Sequence, residues 1–343
     1  CSGASSHSPE APLADGPYTF RLRATDPATN QSTETRGFSV DTDPPSLSID
    51  SGPSGPTNQA SPEFTFSVEA GAGAECSIDT GSPDYGPCSG ASSHSPEAPL
   101  ADGPYTFRLR ATDPATNQST ETRGFSVDTV APETEIDSGP SGPTNQASPE
   151  FTFSSDEGGS SFQCRLDSGA WGACSSPRSY TGLPEGPHSF EVRATDAALN
   201  TDPTPALAEF TIDTEPPAAA DTTLDGLVHA RSRQGQRRRR IAVRVKIKPL
   251  EDLTAEVTGR IEVRKRSYPL AKKRRQLTAD EKKRIGLKPR KRKHAKRIVK
   301  ALRKGKKARA RLRVRLTDSA GNELAEGLRV RLKRRARRGA GQR

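Results

Sequence analysis

Apolar and polar residues alternate in short runs along this chain, and proline and glycine separate the runs. EFTFSS (150–155) puts Phe151 and Phe153 on one face, and SFQCRLD (161–167) groups Phe162, Cys164 and Leu166. HSFEVRATD (188–196) groups Phe190, Val192 and Ala194, and AEFTID (208–213) groups Ala208, Phe210 and Ile212. Successive side chains of a strand point to opposite faces, so each run predicts a half-buried strand. About seven short strands in fewer than roughly 90 residues, with turns between them, predict an antiparallel β-sandwich.

The alternation continues in the last third with different chemistry on the polar face. IAVRVKIK (241–248) sets Ile241, Val243, Val245 and Ile247 against Arg244, Lys246 and Lys248. LTAEVTGRIEV (253–263) keeps Leu253, Ala255, Val257, Ile261 and Val263 in one register. ARLRVRL (310–316) and GLRVRLKR (327–334) expose Arg311, Arg313, Arg315, Arg329 and Arg331. These runs predict strands with a core face and a cationic face. KHAKRIVKALRKG (293–305) breaks the period: Ala295, Ile298, Val299 and Leu302 fall at helical spacing, and Gly305 suits a C′ cap. Thr278 and Glu281 stand at capping-box spacing, a weak signal for a second helical start.

The runs belong to a tandem array. Residues 1–42 and 88–129 are identical, and GPSGPTNQASPEFTF occurs at 52–66 and again at 139–153, both with an offset of 87. That period is the length of one small domain. The expected organisation is the back half of a repeat at 1–43, complete repeats at 44–130 and 131–217, a linker at 218–240, a basic sandwich at 241–335 and a disordered tail at 336–343. Residue 1 falls in the middle of a repeat and the chain has no methionine, so it is expected to be the C-terminal portion of a longer protein. The expected fold class is all-β: tandem β-sandwiches followed by a basic β-sandwich with a short helix. No apolar run approaches the ~18 residues that a transmembrane helix needs.

Charge divides the chain at the same place. Residues 1–217 hold 9 Arg, no Lys and 31 acids, a net of −22; residues 218–343 hold 44 Lys and Arg against 11 acids, a net of +33. All 11 Phe and the one Trp precede residue 218, and Tyr268 is the sole aromatic of the basic block.

The turn ATDPATN (24–30, 111–117) and its relative ATDAALN (194–200) join the last two strands of each repeat, and TDSAGN (317–322) has the same place in the basic block. Asp at the turn start accepts from backbone amides, and Asn tolerates the left-handed region. A Ca²⁺ site at Asp26 and Asn30 is the sharper alternative, although two such residues fall short of the six to eight oxygens calcium takes. Tyr18 and Tyr105 stand where immunoglobulin-like sandwiches carry a tyrosine corner, with His188 in the third copy.

The stretch APETEIDSGPSGPTNQASPEFTFSSDEGGSSFQCRLDSGAWGACSSP, followed by GLPEGPHSFEVRATDAALNTDPTPALAEFTIDT, resembles the bacterial Ig-like repeats of large secreted and cell-surface proteins. The resemblance covers about 1–217 and implies an extracellular structural or adhesive module with no activity of its own. The first complete repeat departs from the pattern in carrying Tyr85 where the last carries Trp171.

Cys76 and Cys88 are twelve apart, and Cys164 and Cys174 ten apart, each pair bracketing a turn. Disulfides closing two hairpins are expected, and they place the chain outside the cytoplasm. Zinc is the rival reading, but it wants four ligands and no second pair or His cluster accompanies these. Cys1 aligns with Cys88, and its partner would precede residue 1.

Neither GxSxG, HExxH, a P-loop nor a dinucleotide fingerprint occurs, so no enzyme activity and no cofactor are expected. A solvated surface is the plain reading of the cationic faces. Their charge density favours a polyanion partner: an anionic cell-surface polymer, an acidic polysaccharide or an anionic membrane surface. The expected polyanion-binding residues are Arg244, Lys246, Lys248, Arg311, Arg313, Arg315, Arg329 and Arg331. Nucleic acid ranks lower as a partner, since single-strand readers stack bases on aromatic rings and this block offers only Tyr268. The resulting expectation is a non-catalytic extracellular stalk or adhesion protein with a basic terminal domain. An accessory binding region of a secreted enzyme, with its catalytic domain upstream, is the alternative.

Overall fold

A computed structural model describes the backbone of residues 6–225, 227–228, 241 and 243–334. Contacts divide the chain into two compact units: the described residues up to 133 with 155–161 and 193–204, and the described remainder.

In the first unit, β1 (Gly16–Thr25) and β2 (Gln31–Val40) form a two-stranded antiparallel sheet. There follow β3 (Leu47–Ser51), β4 (Pro56–Thr57), β5 (Phe64–Val68), β6 (Gly73–Asp79), β7 (Gly86–Pro87), β8 (Ser93–His94), β9 (Gly103–Thr112) and β10 (Gln118–Val127). They build two sheets, in the orders β4-β10-β9-β6-β7 and β3-β5-β8. Between the sheets lie Phe64, Phe66, Phe107, Leu109, Phe125 and Val127, with Phe64 stacked on Phe107 at 4.3 Å between ring centroids. Gly52 holds φ at +115°, and a Cβ there would stand 2.3 Å from the Phe64 ring. The GPSG segment therefore needs glycine so that the aromatic core can close against backbone.

The next repeat comprises β11 (Thr134–Ser138), β12 (Gly142–Thr144), β13 (Glu150–Ser155), β14 (Ser161–Leu166), β15 (Gly172–Cys174), β16 (Arg178–Ser179), β17 (Gly186–Thr195) and β18 (Ala206–Ile212). Its sheets have the same orders, β12-β18-β17-β14-β15 and β11-β13-β16. Phe151, Phe153, Phe190, Val192, Phe210 and Ile212 are buried in its core.

The tyrosine corner proves more uniform than its residues. Tyr105 donates its hydroxyl to the carbonyl of Ala101 at 3.0 Å, and Tyr18 does the same to Ala14 at 2.9 Å. His188 replaces the phenol by placing Nε2 2.9 Å from the Pro184 carbonyl, with Nδ1 2.8 Å from Asp167. The Pro184 bond raises the imidazole pKa; burial opposes the rise and Asp167 adds to it. A raised folded-state pKa stabilises fully below the unfolded value of about 6.5 and loses that stabilisation as pH climbs through the folded value. This repeat is accordingly expected to lose thermal stability as pH rises above about 6.5, by a step that His188→Tyr abolishes. Parallel melting curves for both proteins across that range would refute the role if the steps were equal.

The basic block contains β19 (Ala219–Asp225), β20 (Leu227–Val228), β21 (Val243–Pro249), β22 (Leu253–Val263), β23 (Arg266–Pro269), β24 (Lys273–Leu277), β25 (Lys283–Leu287), α1 (Arg292–Arg303), β26 (Ala308–Thr317) and β27 (Glu323–Arg334). One sheet runs β20-β27-β26-β22-β23, with β24 also on β22; the other runs β19-β21-β25. The topology repeats that of the two preceding repeats down to the short parallel strand at one edge, where β20 joins β27 as β4 joins β10. Both sheets contribute to one core that includes Ile241, Val245, Val257, Ile261, Leu312 and Val314. Gly259 interrupts the apolar register of β22 because a Cβ there would meet the Arg311 carbonyl at 2.4 Å.

Helix α1 lies where the helical spacing put it. Ile298 and Val299 are buried, and Gly305 follows the cap residue Lys304 with φ +69°. Among the described residues no helix is long and apolar enough to cross a membrane.

Three expectations need correction. The stretch 218–240, expected as a linker, supplies β19 and β20; the rest of it lies outside the described residues. An edge strand is fixed by ladder bonds to its neighbour, here β21, and needs no strong period of its own. Thr278 and Glu281 begin no helix: the Glu281 amide donates to the Thr278 carbonyl in a turn, Asp280 takes φ +58°, and β25 starts at Lys283. The buried pair Ile285 and Leu287, two apart, decides for strand. Finally, the left-handed residue in the hairpin turns is Thr29, Thr116 or Leu199, while the Asn that follows is held by its Asp. Cys1 and the tail 336–343 lie outside the described residues.

Candidate functional site

The cationic residues occupy two different surfaces. Arg244, Lys246 and Lys248 stand on β21 of the three-stranded sheet, while Arg311, Arg313, Arg315, Arg329 and Arg331 stand on β26 and β27 of the larger one. The apolar sides of both sheets share one interior, so their polar sides face away from each other. The eight residues therefore do not converge.

Register concentrates the charge on the larger sheet. Arg260 of β22, Arg311 of β26 and Arg329 of β27 lie opposite one another in a single row. In the next row of the sheet, Glu262, Arg309 and Arg331 are opposite each other. Like charges directly opposed across strands repel, and a bound anion relieves that repulsion. Glu262 neutralises part of the row: it accepts from Arg260 and Arg311, each at 2.9 Å. The Arg260 bond, aided by Arg311, holds the Glu262 carboxyl below its ordinary pKa. Arg315 is tied to Glu323 at 3.2 Å. Among the described residues, Arg309, Arg313, Arg329 and Arg331 have no carboxylate partner. Their planar guanidinium groups match phosphate, sulfate and carboxylate oxygens bidentately.

Reading the sequence missed Arg260 and Arg309. The alternation of β26 runs back to Arg309, so that residue was legible. Arg260 joins the row only through the pairing of β22 with β26, which alternation along a single strand does not reveal. Tyr268 is buried and meets His294 edge to face at 5.3 Å, so it presents no stacking surface.

The turns between the last two strands form a second set of sites. In each, the Asp amide donates to the Asn carbonyl: Asp26 to Asn30, Asp113 to Asn117, Asp196 to Asn200 and Asp318 to Asn322. Asp26 takes the Asn30 amide on Oδ1 and the side-chain amide on Oδ2, both at 2.9 Å, and these bonds lower its pKa. Both carboxylate oxygens thus serve the turn, which favours the plain hairpin reading over calcium there.

Three of these Asn side chains also grip the chain just before a module begins. Asn117 Nδ2 donates to the Asp41 carbonyl at 3.0 Å, Asn200 to Asp128 at 2.8 Å, and Asn322 to Asp213 at 2.7 Å. Each acceptor is the Asp of a DTDPP, DTVAP or DTEPP segment.

Two of these joints gather carboxylates. Asp128, Glu157 and Asp196, all in the first unit, offer oxygens within 4.8 Å of one another, as do Asp213, Glu251 and Asp318, all in the second. Glu157 is raised in pKa by burial, and by repulsion from Asp128, Asp196 and Asp156. At the Asp41 joint the residue one period before Glu157 is Ala70.

Disulfides join Cys76 of β6 to Cys88, the residue after β7, and Cys164 of β14 to Cys174 of β15. Beside them, Arg110 lies over the Tyr85 ring at 4.0 Å and Arg165 over Trp171 at 4.5 Å. Tyr85 and Trp171 thus do the same work as flat platforms for an arginine that also pairs with Glu75 or Glu191.

Residues 46–129 match the family model of the bacterial Ig-like domain. No curated protein matches the chain. Similar solved structures include a tetra-tandem repeat from the extending region of a large adhesion protein, at 16% identity over 94% of this chain and 82% of that one, TM-score 0.33. A Ca²⁺-stabilized adhesin with which an Antarctic bacterium binds ice aligns at 14% identity over 92% and 81%, TM-score 0.33. Fibronectin(III)-like modules of Clostridium thermocellum CbhA align at 16% identity over 49% of this chain and 94% of theirs, TM-score 0.34.

Proposed function

We propose that this chain is a non-catalytic stretch of an extracellular stalk, in which Ig-like repeats supply reach and the basic terminal module fastens to an anionic surface polymer. The Ig-like fold of the repeats, their disulfides and the Asn-gripped joints support the stalk. The row Arg260, Arg311 and Arg329, flanked by Arg309, Arg313 and Arg331, which have no carboxylate partner among the described residues, carries the binding role. A polymer with regularly spaced phosphates or sulfates meets such a face at several points at once, which multiplies weak contacts into retention.

The test compares two triple variants of the full chain on immobilised poly(glycerol phosphate). Arg313→Gln with Arg329→Gln and Arg331→Gln is expected to weaken retention by about tenfold or more at low salt. Arg244→Gln with Lys246→Gln and Lys248→Gln removes as many charges from the other sheet and is expected to cost clearly less. Equal losses would reduce the effect to net charge and refute a binding face on the larger sheet.

A further inference from the structure

We propose that Asp213, Glu251 and Asp318 form a binding site for one divalent hard cation of the calcium class. The inference goes beyond the polyanion reading and does not depend on it. Its starting point is a difference between turns that otherwise share one design. In the turns at 113–117 and 196–200, the Asn side chain donates to Oδ2 of its own Asp, at 2.8 and 2.7 Å, and the Asn amide donates to Oδ1. Both carboxylate oxygens are satisfied.

The turn at 318–322 breaks that arrangement. Asn322 still donates its backbone amide to Asp318 Oδ1 at 2.8 Å. Its side chain donates to the Asp213 carbonyl at 2.7 Å, as Asn117 and Asn200 do to their own linker Asp, but its second contact is the approach to Asp213 Oδ1 at 3.5 Å, and Asp318 Oδ2 receives no bond. Asp318 is 8% exposed, and its Oδ2 is buried with no hydrogen-bond donor in reach. Burying a carboxylate oxygen without a hydrogen-bond donor is costly, and more so when the group is charged. It faces this cost beside two further carboxylates, with one oxygen from each of the three within 4.8 Å of the others. Three negative charges at that separation repel strongly unless a cation lies among them.

The neighbouring backbone holds the ligands in place. Glu251 accepts the Ala218 amide at 2.8 Å, and the Leu250 amide donates to the Ala218 carbonyl at 3.2 Å. Asp213 accepts the Glu215 amide at 3.2 Å, and its own amide donates to Thr144 at 2.9 Å. The donor set is all oxygen, from three separate loops, which suits a hard ion with flexible coordination; water would complete the six to eight ligands calcium takes. The parallel cluster Asp128, Glu157 and Asp196 lacks the decisive feature, because both oxygens of its buried Asp196 are already bonded.

Calorimetric titration of the metal-free full chain with CaCl₂ tests the proposal. The expected result is one saturable site per chain with a Kd of about 1 mM or tighter. Asp318→Asn and, separately, Glu251→Gln are each expected to weaken it at least about tenfold. Glu251 lies toward the surface, so its variant keeps the test decisive if Asp318→Asn does not fold. Glu157→Gln is expected to leave the titration unchanged. No saturable heat up to about 10 mM CaCl₂ would overturn the site, as would binding that survives Glu251→Gln in a folded chain.

Discussion

Phe107→Ala is expected to lower the unfolding free energy of its module by about 3–5 kcal/mol. Phe107 is 0% exposed, stacked on Phe64 and packed among Leu109, Phe125 and Val127. Truncating the ring removes those contacts and leaves a cavity between the two sheets. Hydrogen exchange read at the amides of β9 assigns the effect to that module. Protection of β9 that is unchanged in the variant would show that the ring does not hold the two sheets together.

The second large effect concerns the disulfides. Cys164→Ser with Cys174→Ser is expected to destabilise its repeat by about 2.8 kcal/mol, from the chain entropy released in an eleven-residue loop. The Cys76–Cys88 pair closes a loop only slightly longer, so its double variant should cost nearly the same, about 2.9 kcal/mol. Each loop packs one half-cystine in the core, Cys76 at 3% and Cys164 at 6% exposure. Denaturant midpoints with and without a thiol reductant provide the measurement. Reductant should shift both repeats and leave the basic module, which contains no cysteine, where it was. A midpoint for the repeats that ignores reductant would mean that the cross-links do not bear on their stability.

The elements themselves were legible because alternation acts within one strand. Phe151 with Phe153, and Ile241 through Ile247, point inward by period alone, and the structure buries them. The helix over 292–303 was legible for the same reason, its buried pair and Gly305 both being local signals. The strand status of 219–225 was not, because an edge strand is defined by its neighbour. The His188 corner was half legible: position marked it, but only the 2.9 Å approach to Pro184 showed that imidazole can stand in for phenol.

The candidate sites divide along the same line. Sequence alone determined that residues 218–343 alternate apolar with cationic positions, that the repeats share a period of 87, and that four cysteines fall in two close pairs. These are properties of neighbours along the chain, and local geometry converts them directly into faces and hairpins. Only the tertiary structure decided that Arg244 and Arg311 lie on opposite surfaces, that Arg260 completes a row with Arg311 and Arg329, and that Asp318 meets Asp213 and Glu251. Those juxtapositions join residues up to 105 positions apart. They depend on strand register and sheet packing, which the periodicity of a single strand does not specify.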